Sequence, residues 1–242
     1  MTENTIWNMG KERVLNLFFP LRCPVCDRPV PYGEGRICQN CAGKLKRIEP
    51  PYCMKCGKSL CREEEYCRDC RSQTHHFLRG RALYEYRSAA VGIYRFKYAS
   101  REEYALFYAE QMALGLKEFV RWIKPEGIVP VPLSKERLKL RGYNQAELLA
   151  KEVGRILHIP VYTNLAKRIK NTVPQKELNE KQRQNNLKKA FKIEPDVVKL
   201  KTIIIIDDIY TTGTTMDALA EVFLEAGAEN VYFMTLAIGS TD

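Results

Sequence analysis

No window of the 242-residue sequence approaches the roughly 18 to 20 uninterrupted apolar residues that a membrane span needs, and the best N-terminal candidate, Val14 to Phe19, is far too short. Lys11, Glu12 and Arg13 precede that run and Pro20 closes it, with no small-residue cleavage site behind, so a secretory signal is not expected. The expected compartment is therefore the cytosol. Cysteine is missing after Cys70, and Lys and Arg are missing after Lys201. Histidine occurs only at His75, His76 and His158, outside every motif described below, so no role is assigned to it. With 45% apolar residues the chain is neither a disordered tail nor a fibre. It is long enough for one full domain and a smaller module.

All nine cysteines fall between Cys23 and Cys70, and eight form four Cys-x-x-Cys pairs: Cys23/Cys26, Cys38/Cys41, Cys53/Cys56 and Cys67/Cys70. In a cytosolic chain that density reads as metal and not as disulfides. Two thiolates three residues apart on a tight knuckle reach one zinc ion at about 2.3 Å, and two knuckles close a tetrahedron with no position left for water. Two structural zinc sites are expected. Taken in order, Cys23, Cys26, Cys38 and Cys41 form one, and Cys53, Cys56, Cys67 and Cys70 the other; spacing alone leaves a cross-braced pairing open. Gly57 suits a knuckle turn that wants positive φ. Cys61 is left over, either a spare thiol or a substitute ligand in the second site.

Residues 1–75, with an N-terminal helix and every cysteine, read as a small metal-stapled module, and residues 76–242 as a second domain. In the second, helical periodicity is clearest in Glu103 to Trp122 and Asn144 to Leu157, with an apolar strand, Ile128 to Val131, between them. From residue 202 the pattern sharpens to strand (Thr202 to Ile206), loop (Asp207 to Thr214), helix (Thr215 to Ala226) and strand (Val231 to Ile238). That is a βαβ unit, so the expected class is α/β with a parallel, Rossmann-like sheet.

Charge is unevenly placed. The whole chain carries 39 Lys+Arg against 29 Asp+Glu, a formal net charge of +10, which is compatible with phosphate or nucleic-acid partners. Between Lys167 and Lys192 nine basic residues stand against Glu177 and Glu180, whereas everything charged after Lys201 is acidic. On charge alone the basic run reads equally well as a solvated loop.

The most specific run is Ile203-Ile204-Ile205-Ile206-Asp207-Asp208-Ile209-Tyr210-Thr211-Thr212-Gly213-Thr214-Thr215. Four consecutive isoleucines fit a strand buried on both faces. Ligands of open α/β sheets bind at the carboxyl ends of such strands, where two adjacent carboxylates stand here. Free amides at the following helix start favour a phosphate, hydroxyls of Thr211, Thr212, Thr214 and Thr215 add donors, and Gly213 lets the backbone approach. Asp207 and Asp208 would repel a bare phosphate, but they suit a sugar phosphate: carboxylates accept hydrogen bonds from ribose hydroxyls and help hold magnesium. The missing Gly-Lys-Ser/Thr ending excludes a Walker loop. The run resembles, over all thirteen positions, the phosphoribosyl pyrophosphate motif of type I phosphoribosyltransferases.

Val129-Pro130-Val131-Pro132-Leu133-Ser134 ends an earlier strand, and Lys135, Arg137, Lys139 and Arg141 follow it. Cations there would stabilise the charge that a leaving pyrophosphate gains. With the cysteine pairs, the segment Arg141-Gly142-Tyr143-Asn144-Gln145 and the stretch Thr172-Val173-Pro174-Gln175 with Arg183, Asn186 and Phe191, the chain resembles the ComF family. This likeness implies a double zinc ribbon followed by a type I phosphoribosyltransferase domain. Thr172 to Asn186 is also similar to the mobile loop of glutamine phosphoribosyl pyrophosphate amidotransferases, although their glutaminase half is lacking. That likeness implies that Lys167 to Lys192 folds over the pyrophosphate, with Gln175 and Arg183 at work in the site. Pro132, Arg137 and Arg141 of the segment after the earlier strand are candidates for the ligand, and the family pattern alone adds Lys97.

The ComF resemblance implies a role in natural competence, with single-stranded DNA and the DNA-uptake helicase machinery as partners. Basic and aromatic residues interleave in Tyr84-Glu85-Tyr86-Arg87 and Tyr94-Arg95-Phe96-Lys97-Tyr98, a composition able to stack bases and track phosphates; core aromatics on a helix are the plainer reading. Two functions follow as expectations. One is a magnesium-dependent phosphoribosyltransferase with Asp207, Asp208 and Arg183 as catalytic residues. The other is a non-catalytic sensor of phosphoribosyl pyrophosphate or a nucleotide, or a DNA-binding adaptor.

Overall fold

The computed structural model describes residues 20–31, 33–169, 190–193 and 200–239. The expected N-terminal helix, and Thr172 to Asn186 with Gln175 and Arg183, lie outside the described residues.

The isoleucine run forms the middle of β5 (Thr202–Tyr210), which stands between β6 (Asn230–Ile238) and β2 (Gly127–Pro130), with β1 (Arg79–Glu85) beyond β6. All three pairings are parallel. Ile203 to Ile206 are fully buried because both faces of the sheet are covered. Side chains alternate across a strand. Ile204 and Ile206 therefore pack under α2 (Tyr86–Tyr98), α3 (Tyr104–Gly115) and α6 (Gln145–Leu157), while Ile203 and Ile205 face α7 (Thr214–Glu225). That second face also carries Cys53, Cys56 and Cys67 with Phe77, so half of the cysteine module lies in the same core as the central strand.

Two boundaries differ from expectation by more than one residue. Asp207 and Asp208 are not loop residues: β5 continues through Tyr210, because Asp207, Ile209 and Tyr210 pair with Thr235, Ala237 and Ile238 of β6. The helical stretch from Glu103 to Trp122 breaks at Leu116 (φ −112°, ψ 13°) into α3 and α4 (Lys117–Ile123).

Local chemistry sets the ends that matter for the site. Ser134 caps α5 (Lys135–Arg141) by accepting from the Arg137 amide, and Gly142 closes it at φ +83°. Asn144 caps α6 through the Ala146 amide at 3.1 Å. A short hairpin pairs β3 (Ala166–Arg168) with β4 (Phe191–Ile193), antiparallel. Among the described residues no helix is long and apolar enough to cross a membrane.

The two knuckles fold alike. Cys23 donates to the Arg28 carbonyl at 2.9 Å and Asp27 to Cys23 at 2.8 Å; Cys53 donates to Lys58 at 2.7 Å and Gly57 to Cys53 at 2.9 Å. Gly57 has φ +81°, as its sequence position predicts, and Asp27 takes the matching place at φ +61°. The first knuckle sits on the helices. Asp27 accepts from Arg101 at 2.8 and 3.0 Å and from the Tyr104 hydroxyl at 2.6 Å. The carbonyl of Pro24 accepts from the Tyr108 hydroxyl and presses on Gly92, where a Cβ would stand 2.1 Å away.

Candidate functional site

The acids of β5 emerge at its carboxyl end. Asp208 is buried, and its Oδ1 lies 2.9 Å from Lys97 Nζ. Asp207 is only partly covered; its Oδ1 accepts from the Asp208 amide at 2.8 Å. Burial and then the adjacent Asp208 carboxylate push the Asp207 carboxyl up to about 8, against the pull of Lys97 and Arg141. Two acids side by side in a sheet resist a second negative charge unless a cation or a hydroxylated ligand meets them.

Lys97 reaches this place because the segment after Arg141 holds the end of α2. The Tyr143 hydroxyl and Gln145 Nε2 both donate to the Phe96 carbonyl. Asn144 Nδ2 donates to the Val131 carbonyl at 3.0 Å, which ties the same segment to the loop after β2. Arg141 itself donates to Gln145 Oε1 at 2.9 Å and to the Tyr98 hydroxyl at 3.1 Å, with its guanidinium 4.9 Å from the Tyr98 ring centre. Four residues of this five-residue segment, Arg141, Tyr143, Asn144 and Gln145, thus lock α2, the β2 loop and α6 around one strand end.

On the loop side, Gly213 is the N-cap of α7 at φ +83°, and among the described residues no side chain caps that helix. The first amides of a helix have no intrahelical acceptor. A Cβ at Gly213 would stand 2.4 Å from the Tyr210 hydroxyl, so both the space and the backbone angle require glycine. Thr211 and Thr212 are exposed, and the Thr212 and Thr214 hydroxyls lie 2.6 Å apart. The whole is an anion-type cradle beside a pair of acids.

A cleft of about 440 Å³ opens between residues 132–136, which follow β2, and residues 166–169 of the β3 arm. Pro132 lines it, with Ser134, Lys135, Lys167 and Arg168. Burial, then Arg137, hold the Arg168 guanidinium below its ordinary value, while Asp207 acts the other way. Arg168 was not singled out from the sequence; the only signal was its place near the start of the basic run. The structure brings Lys97, Arg141, Asp207, Asp208 and the loop from Thr211 to Thr215 to one strand end, with Pro132 and Arg137 on its flank.

The cysteines gather as two sets: Cys23, Cys26, Cys38 and Cys41, and Cys53, Cys56, Cys67 and Cys70, with all sulfurs of a set within 4.8 Å of one another. A tetrahedron with zinc–sulfur bonds of about 2.3 Å has edges of about 3.8 Å. Cys26 and Cys38 Sγ are 3.7 Å apart, as are Cys56 and Cys67 Sγ. The donor set and its spacing suit zinc and leave no protein ligand missing. Pairing follows chain order, and Cys61 is exposed and outside both sets.

The expected aromatic stripe divides. Tyr84 and Phe96 are buried in the core, whereas Tyr94 and Tyr98 are 64% and 54% exposed with ring centres 5.1 Å apart. His75, to which the sequence assigned nothing, is buried, with Nδ1 2.6 Å from Asp217 Oδ2 and Nε2 3.6 Å from Cys70 Sγ.

A family model described as a double zinc ribbon domain matches residues 14–71, and one described as a phosphoribosyl transferase domain matches residues 144–241. Competence protein F of Haemophilus influenzae is 30% identical over 226 residues, spanning 91% of this chain and 98% of that protein. DNA utilization protein YhgH of Escherichia coli is 29% identical over 219 residues, 89% of this chain and 96% of that protein. Competence protein ComFC of Bacillus subtilis is 31% identical over 211 residues, 84% of each chain.

Proposed function

The chain belongs to the ComF family, and from that premise we propose that it binds 5-phosphoribosyl 1-pyrophosphate with magnesium and serves natural competence in the cytoplasm. One observation carries the reading: an acid pair, Asp207 and Asp208, shares a strand end with a glycine-centred helix start and with Lys97 and Arg141. Amides and hydroxyls from Thr211 to Thr215 receive the 5-phosphate. Asp207 and Asp208 accept hydrogen bonds from the ribose hydroxyls. Pro132, Arg137 and Arg141 flank the pyrophosphate; Gln175 and Arg183, which the family resemblance nominates for the same group, lie outside the described residues. Magnesium, when bound, offsets the charge of the pyrophosphate.

In the transfer, an acceptor nucleophile forms a bond to C1 of the ribose, and the bond from C1 to the pyrophosphate oxygen breaks with its electron pair leaving on pyrophosphate. Positive charge grows on the ring beside the Asp208 carboxylate and negative charge on the leaving group beside the cations, so positioning and electrostatics carry the rate. Structural zinc in each tetrad belongs to the same reading, with Cys23, Cys26, Cys38 and Cys41 and Cys53, Cys56, Cys67 and Cys70 as ligands. The test is incubation with labelled 5-phosphoribosyl 1-pyrophosphate, magnesium and candidate acceptors. Acceptor-dependent pyrophosphate release, lost in Asp207→Ala/Asp208→Ala, supports the enzyme. Binding without turnover supports the sensor, and the absence of binding sinks both.

A second reading is favoured by the exposed Tyr94 and Tyr98 beside Arg141. Two exposed tyrosines with rings tilted 46° to each other, one of them against a guanidinium, suit the bases and phosphates of single-stranded DNA, alone or delivered by a helicase partner. Its affinity for an oligonucleotide should fall as salt rises and fall further in Tyr94→Ala/Tyr98→Ala; a salt-independent affinity contradicts it.

A further inference from the structure

Asp217 is an acid where the phosphate-loop reading wants none. It lies in the first turn of α7, and its amide donates to the Gly213 carbonyl at 2.8 Å. A carboxylate there stabilises a helix start that holds no ligand, and it repels an anion that arrives. The fold draws both of its oxygens aside. Oδ2 lies 2.6 Å from His75 Nδ1, and Oδ1 accepts from the His76 amide at 2.9 Å. The His75 side chain is 1% exposed and that of Asp217 14%. Lys55 Nζ donates to the His75 carbonyl at 3.4 Å, which adds a cation on the same side.

The other edge of His75 belongs to the ribbon: Nε2 faces Cys70 Sγ at 3.6 Å. Side chains that lean on a metal-binding cysteine orient it, and here the same ring reaches a second element. The His75 ring also stacks on Phe77 with centres 4.7 Å apart, and Phe77 meets Tyr210 edge-on at 6.2 Å. Tyr210 in turn fills the space beside Gly213. Two lines of contact therefore run from the second tetrad to the phosphate loop, one ending on Tyr210 before it and one on Asp217 after it.

We propose that His75 is a positioning residue that holds the Asp217 carboxylate against the second cysteine tetrad, and so makes the start of α7 an anion site whose affinity depends on that ribbon. Without His75 the carboxylate is released beside the amides that receive the phosphoryl group. Without the tetrad, His75 loses its support. The proposal rests on the function given above only for the choice of ligand.

The test uses the full chain, loaded with zinc, and follows 5-phosphoribosyl 1-pyrophosphate with magnesium by calorimetry. His75→Ala should bind about tenfold more weakly while its zinc content equals that of wild type. His75→Ala/Asp217→Asn should recover most of that loss, because the released charge is gone; a role in packing alone would leave the double variant as weak as the single one. Unchanged affinity in His75→Ala overturns the proposal, and so does a double variant with no recovery. If His75→Ala loses zinc or fails to fold, Asp217→Asn decides alone: affinity equal to or above wild type supports the proposal, and weaker binding overturns it. If wild type gives no heat with this probe, the ligand assignment fails separately. The join is then scored by hydrogen exchange of amides 213–218, which should quicken in His75→Ala, or in Asp217→Asn if that chain does not fold, while amides 203–206 stay unchanged. Equal exchange rates overturn it.

Discussion

Gly213→Ala tests whether the loop is built as argued. The residue stands at φ +83°, which costs an L-residue about 1 to 2 kcal/mol. The new Cβ would also lie 2.4 Å from the Tyr210 hydroxyl oxygen and 3.0 Å from its ring carbon Cζ. A flexible side-chain tip would swing away, but Tyr210 is 3% exposed and its ring lies flat on Phe233, with centres 4.8 Å apart and planes 6° off parallel. Displacing it is overpacking of a filled core, about 1 to 3 kcal/mol. The sum is about 2 to 5 kcal/mol, and for a chain of this size Tm should fall by about 5 to 15 °C. Calorimetric melting of the zinc-loaded protein measures it. In Tyr210→Phe/Gly213→Ala the hydroxyl contact is gone and the strained φ remains, so part of the loss should return but not all of it. A melting temperature within a degree of wild type for Gly213→Ala, or no recovery in the double variant, refutes the reasoning.

Lys97→Ala should destabilise the protein by about 3 to 5 kcal/mol in urea unfolding, because it strands the buried Asp208 carboxylate; Lys97→Ala/Asp208→Asn should recover most of that, and a harmless Lys97→Ala would mean the pair is not buried as described. The Asp207 carboxyl is raised from 3.8 to about 8, so the folded state holds a proton there that the unfolded chain has released. Its contribution is full below pH 3.8 and is lost as pH rises through about 8, hence Asp207→Asn should gain stability over wild type between pH 5 and 8 and then level off; a pH-independent difference contradicts the shift. Metal removal should act unequally. Cys56→Ser should lower the main melting transition, since Cys53, Cys56 and Cys67 lie in the sheet's own core, whereas Cys26→Ser, in its separate small cluster, should lower bound zinc and leave that transition nearly in place. Equal effects of the two substitutions on the main transition would contradict this.

Much of the site could be read because its signals are local. A run of four isoleucines ending in two acids, then threonines around a glycine, specifies strand, turn and helix start within thirteen residues. Gly57 announced its positive φ, but the equivalent Asp27 did not, since an aspartate adopts that region less readily than glycine; here Arg101 and Tyr104 hold its carboxylate. The end of β5 was misplaced because Asp-Asp reads as loop, while the strand is prolonged by pairing with β6 that no local pattern reveals. Lys97 was nominated by likeness to a family. Its contact with Asp208 comes from Tyr143 and Gln145 holding the Phe96 carbonyl.

Composition, periodicity and spacing determine by themselves an α/β chain with a buried parallel strand, an anion-type loop at its end and four thiol pairs. They act over a few residues, where backbone sterics and hydrophobic alternation leave few choices. Only the tertiary structure decided which pairs join, that the second tetrad lies under the sheet, that the two tyrosines at positions 94 and 98 face solvent while Phe96 does not, and that His75 bridges Cys70 and Asp217. Those are contacts between residues far apart in the chain, set by packing, and a histidine in a loop looks the same in a sequence whether it is idle or joins two modules.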